Sequence, residues 1–135
     1  VVYNVFVMLE KIIINLFAGL LVGYALEFSY RSYKAQRIIW PKFVNYQMYG
    51  LTAVFLVVLS SFNIPLFFKL VSVLLFTFFI ELITGILYIK SKGVKAWDYS
   101  DEPYNYKGIV CPYYSTLWFA IATFYYFLAI PNFHF

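Results

Sequence analysis

Cysteine and histidine are nearly missing from this chain. The single Cys111 forbids an internal disulfide and rules out a cysteine-built metal site. The single His134 removes any haem held by two histidines and any histidine-rich zinc site within the chain. No G-x-x-x-x-G-K-S/T run occurs, so the chain has no phosphate-binding loop of its own. Charge is scarce too. Charged residues make up 12% of the chain and hydrophobic residues 64%, with a mean hydropathy of +0.78, whereas a soluble domain carries about 25% charged residues. At 135 residues there is one domain's worth of chain, too little to bury that much apolar surface in water. Disorder is excluded by the same shortage of charge. What is left is an integral membrane protein.

Four apolar segments follow: about 12–30, 43–62, 64–89 and 111–130. Each meets or approaches the ~20 residues that a helix needs to cross ~30 Å of hydrocarbon. Runs such as Thr52-Ala53-Val54-Phe55-Leu56 do not alternate as a barrel strand would, and helices satisfy their own backbone in lipid. The expected fold is all-α: one integral membrane domain over 1–135, a four-helix bundle with an ordered interfacial loop between helices 3 and 4. Asn63 with Pro65 reads as an N-cap and first-turn proline for the third helix. Pro112 opens the fourth, and Pro131 helps end it. No internal repeat or low-complexity linker is present. The first apolar stretch is too long for a signal peptide and lacks a basic leader. An opening Val1-Val2 without Met is expected of a trimmed piece, a processed product or the ordered part of something longer.

The net charge of +4 resolves into two connectors rather than a nucleic-acid face. Arg31, Lys34, Arg37 and Lys42 lie in the first; Lys90, Lys92, Lys95 and Lys107 lie in the third. The excess of basic residues places connectors 31–42 and 90–110 on the cytoplasmic or matrix side of a bacterial or organellar inner membrane, with both termini opposite. Lys69 can snorkel outward from the third span; Lys11 dissents mildly. Glu10 with Lys11 reads as interfacial, and His134 as a terminal residue without a role.

Ionisable residues inside a span are costly, and so point to function. Glu27 stands four residues before Arg31: an i,i+4 ion pair or part of a site. Glu81 stands nine residues before Lys90, roughly 13 Å into the helix, and needs a partner there, a packing neighbour, a proton or a ligand. Gly19, Gly23 and Glu27 fall at four-residue steps, as do Glu81 and Gly85. Small residues so spaced allow close helix approach, so the first and third helices are expected to meet through them and bring the two carboxylates together. With Asp98 they form the candidate ion- or ligand-binding set. No catalytic residue and no cofactor is expected, and the metal question stays open. A bound lipid is expected. The stretch from Ala96 to Cys111 is too aromatic for a solvated loop. Trp97, Tyr99, Tyr104 and Tyr106 would anchor it at the interface or fold it back on the helix ends. Asp98 and Ser100 can cap backbone N–H groups, and Asp101-Glu102-Pro103 reads as a turn.

Several of these residues carry a resemblance. Glu81-Leu82-Ile83-Thr84-Gly85, Trp97-Asp98-Tyr99-Ser100, Asn105, Gly108, Cys111, Ser115 and Trp118 resemble the signature of small membrane proteins called Putative ABC-transporter type IV, or CmpB-type. Vertebrate four-span proteins share the W-D-Y-S core. Gly23-Tyr24-Ala25-Leu26-Glu27 with Tyr30-Arg31-Ser32 is similar to that family's first helix, and Tyr49-Gly50 to the start of its second. The likeness runs from about Phe17 to Phe119. It departs at Trp40-Pro41-Lys42, where bacterial members often carry Gly-Pro-x-Cys-Pro. The resemblance implies a membrane subunit working with a separate ATPase. Three functions are in view: a non-catalytic subunit of a larger assembly or homo-oligomer, among membrane lipids and without nucleic acid; a transporter or ion-binding component with Glu27, Glu81 and Asp98 in a cytoplasm-facing pocket; and a lipid-acting membrane enzyme, for which no nucleophile–base pair is present.

Overall fold

The structure is a computed structural model that describes residues 2–132, with side chains from Asn4 to Pro131; Val1 and His134 lie outside the described residues. It is all-helical: α1 (Val2–Ala35), α2 (Phe43–Ser60), α3 (Leu66–Lys92) and α4 (Pro112–Leu128), then a short 3₁₀ turn, Ile130–Asn132. No strand occurs among the described residues; a lone β-bridge joins Tyr106 to Val110. Three helices, α1, α2 and α3, are long and apolar enough to cross a membrane. Leu21, Phe17 and Phe67 stand more than 60% exposed, a surface that water would not tolerate but acyl chains do. The protein is an integral membrane protein.

Two compact units divide the chain. One holds α1, α2 and the chain from Tyr125. Its centre is an antiparallel pair of helices in contact at glycine. A Cβ at Gly19 would lie 2.7 Å from the Tyr49 carbonyl and 2.9 Å from the Gly50 Cα, and one at Gly23 2.4 Å from the Tyr49 ring. The glycine face expected to receive the third helix therefore receives α2. Asn15, 1% exposed, is satisfied at both ends of its amide. Its Nδ2 donates to the Lys11 carbonyl at 2.8 Å, and its Oδ1 accepts from Tyr125 Oη at 2.7 Å.

The turn after α1 explains where that helix stops. Gln36 takes a left-handed φ of 56°. Arg37 N–H then donates to Ser32 O, and Gln36 N–H to Tyr33 O, both at 3.3 Å. This is the paired-carbonyl C-cap usually built on glycine. Ser32 Oγ next accepts from Ile39 N–H at 3.0 Å, Trp40 packs on Phe28 at 5.1 Å between ring centroids, and Pro41 is buried. The connector is thus a hook folded back on the end of α1. At the start of α2, Asn45 Oδ1 accepts from Lys42 N–H at 3.1 Å.

The second unit spans residues 63–124. The N-cap of α3 is Pro65, not Asn63. Pro65 is extended, with ψ 147°, and its carbonyl accepts from Phe68 and Lys69 N–H; a proline at this position forfeits no N–H that the helix needs. Val73, Thr77, Glu81 and Gly85 form the buried stripe of α3, four residues apart as a helix face requires. Gly93, at φ 73°, closes the helix. Pro112 is the first residue of α4, as the sequence leads one to expect.

Candidate functional site

Each membrane carboxylate is held within its own unit. In the first, Glu27 lies one helical turn before Arg31, whose Nε donates to Glu27 Oε2 at 2.9 Å. Tyr49 Oη donates to the other oxygen, Oε1, at 3.1 Å. The Glu27 side chain is 14% exposed and that of Arg31 26%, so the pair is shielded without being sealed. The i,i+4 spacing made the arginine visible in the sequence. The tyrosine comes from across the helix pair, brought to Glu27 by the close approach at Gly23, and went unrecognised as a partner.

In the second unit Glu81 is 1% exposed. Tyr99, eighteen residues on, donates its hydroxyl to Glu81 Oε2 at 3.3 Å. The Tyr99 ring stacks on Tyr114 at 4.5 Å and 9°, which fixes the direction of the hydroxyl. One turn along α3, Gly85 admits the loop: a Cβ there would lie 2.4 Å from Ile109 Cγ2 and 3.2 Å from the Trp97 ring. Trp97 Nε1 donates to Ile109 O at 2.8 Å, so the half-buried indole keeps its hydrogen bond. Ile109 and Tyr114 carried no polar signal in the sequence, and their part in the site was missed.

Asp98 points the other way. Its side chain is 57% exposed, and its Oδ1 accepts from Ser100 N–H at 2.9 Å, from Ser100 Oγ and from Lys95 Nζ at 3.4 Å. The Ser100 hydroxyl, then its N–H, hold the Asp98 carboxyl below its ordinary range. Asn105 works from the far side of the same turn. Its Nδ2 donates to Glu102 O at 2.9 Å and to Ser100 O at 3.2 Å, while its Oδ1 accepts from Gly108 N–H at 2.9 Å. Tyr99 N–H donates to Gly108 O at 2.8 Å. Gly108 sits at φ 70°, and a Cβ there would fall 2.7–2.8 Å from Asp98 Oδ1, Lys95 Nζ and Ser100 Oγ. Both backbone and space demand glycine.

The W-D-Y-S run therefore divides its labour. Trp97 and Tyr99 face α3 and close over Gly85 and Glu81, while Asp98 and Ser100 face outward and set the turn. Among the described residues, no three of His, Cys, Asp and Glu come together as a metal would require.

Two of three comparisons with known proteins return nothing: no curated protein and no solved structure matches the chain. A family model does match, over residues 14–134. That range covers the Glu27–Arg31–Tyr49 and Glu81–Trp97–Tyr99 groups alike. The chain belongs to the family described as Putative ABC-transporter type IV, the CmpB-type small membrane proteins.

Proposed function

We propose that this protein is a non-catalytic, multi-pass membrane subunit of an ATP-driven transport assembly, with the ATPase on a separate chain. The observation that carries this reading is the hydrogen bond by which the loop after α3 holds one oxygen of its most buried carboxyl group. Glu81 is 1% exposed and takes the hydroxyl of Tyr99, itself fixed by stacking on Tyr114. That bond reaches Oε2 alone, Oε1 having no hydrogen bond, and it ties the loop to α3. The family description supports a link to transport. In this reading α4, with 17 residues from Pro112 to Leu128, is a fourth crossing, at the short end of the usual ~17–25 residues. Segment 94–111 is an ordered interfacial cover. The two basic connectors face the cytoplasm or matrix, and both termini face the other side.

The competing reading makes Glu27, Glu81 and Asp98 part of a transport or ion-binding path. Glu81→Gln separates the two, because it keeps an oxygen to accept from Tyr99 but puts an amide NH2 in place of the other oxygen and can neither ionise nor take up a proton. Measured in the purified assembly, the subunit reading expects ATP turnover within about twofold of the parent, a difference of roughly 0.4 kcal/mol in barrier. Loss of turnover from an intact assembly would favour the transport reading.

A further inference from the structure

The hook between α1 and α2 gathers positive charge with no acid in its own stretch of sequence. Residues 28–62 contain Arg31, Lys34, Arg37 and Lys42 and no Asp or Glu. Glu27, one helical turn before Arg31, is already committed to Arg31 Nε and Tyr49. That bond uses only one of the Arg31 nitrogens, and both Nη groups remain for another acceptor. Arg37 and Lys42 are exposed. Lys34 keeps to Tyr30, with Nζ 3.3 Å from the hydroxyl. Lys42 occupies the N-cap of α2, which has no acidic residue in its first turn. A cation there meets the positive end of the helix dipole, an unfavourable placement that a nearby anion relieves.

The same hook is apolar where it is not basic. Tyr33, Ile38, Trp40 and Phe43 are each 64–79% exposed. Tryptophan and tyrosine favour the depth of the headgroups, and guanidinium pairs well with phosphate oxygens. Exposed aromatics on the same short hook as the exposed cations Arg37 and Lys42, at the end of a membrane helix, fit one partner chemically.

We propose that this hook binds the headgroup of an anionic phospholipid, with Arg31, Arg37 and Lys42 on the phosphate and Trp40 and Phe43 at the level of the glycerol. The site needs neither an ATPase nor a second subunit, so its failure would leave the proposed function standing, and the reverse also holds.

The test is electron spin resonance on the full chain in phosphatidylcholine vesicles, with spin-labelled phosphatidylglycerol compared with spin-labelled phosphatidylcholine at the protein surface. Each cation near an anionic headgroup contributes at most about fivefold. We expect a several-fold preference for phosphatidylglycerol that weakens as salt rises and drops at least about twofold in the double variant Arg37→Gln/Lys42→Gln. The matched variant Lys90→Gln/Lys92→Gln, at the end of α3, should keep the preference, as should added inorganic phosphate at constant ionic strength. Equal association of the two lipids would overturn the proposal. So would a preference insensitive to the hook variant, one lost only in the α3 variant, or one abolished by free phosphate, which would mark a site for a soluble oxyanion.

Discussion

Glu81 and Tyr99 show what a single hydrogen bond does inside a membrane helix. The tyrosine hydroxyl reaches Glu81 Oε2 at 3.3 Å, and removing it strips a partner from a group 1% exposed. Tyr99→Phe should cost about 1–3 kcal/mol. Glu81→Leu in the Tyr99→Phe background should cost less than the sum of the single changes, because both polar partners are then gone. Unfolding in mild detergent measures the cycle; strict additivity would show the contact to be idle. Asp98 makes a different prediction. Its pKa lies below the ordinary 3.8, chiefly because the Ser100 hydroxyl bonds the carboxylate. The folded loop thus favours the charged form. Its contribution is complete above the unfolded value and is lost as pH falls through 3.8 and then through the lower folded value. Trp97 fluorescence followed to low pH should report the loop loosening in that window, and Asp98→Asn should flatten the response. The sequence made these residues legible to different degrees. Asp98 and Ser100 make a local turn that a two-residue spacing encodes. The Tyr99–Glu81 contact spans eighteen residues and depends on how the loop folds, which no local pattern carries.

The helices show the same division between local and distant causes. Their existence and rough extent follow from unbroken apolar runs; α1 runs from Val2 to Ala35, taking in the apolar lead-in before the expected 12–30 span and one further turn after it, because nothing before Gln36 breaks it. The stop is a left-handed glutamine, which composition does not announce. The start of α3 at Pro65 rather than Asn63 is likewise a choice between two plausible caps. The four-residue glycine step in α1 lies against α2, not against the expected third helix: small residues announce that something approaches, not which element. Close packing at those glycines makes a firm prediction. Gly19→Ala would press a methyl on α2 backbone, at 2.7 Å from Tyr49 O, and backbone cannot turn aside. Overpacking of this kind costs about 1–3 kcal/mol. Gly93→Ala meets nothing within 4 Å and should cost only about 1–2 kcal/mol, from its left-handed φ of 73°. Melting of the two variants in one detergent compares them; an undisturbed Gly19→Ala would mean the helix pair is looser than its geometry.

At the scale of the whole molecule, apolar composition alone identified a membrane protein, and the family match over 14–134 supplies what composition does not, a tie to transport. The disposition of crossings remains a matter of charge. Single cysteines placed at Gln36 and Gly93, in a Cys111→Ser background, should label from one side of the membrane, and one at Asn63 from the other. Labelling of all three from one side would remove the four-crossing arrangement. The composition of the native complex bears most directly on what the protein is for. The chain should be tagged in its own cell, extracted in a mild detergent and its partners identified by mass spectrometry. A non-catalytic subunit of an ATP-driven machine predicts a stable complex containing an ATPase chain in fixed proportion; recovery of a folded, solitary monomer from intact membranes would contradict it.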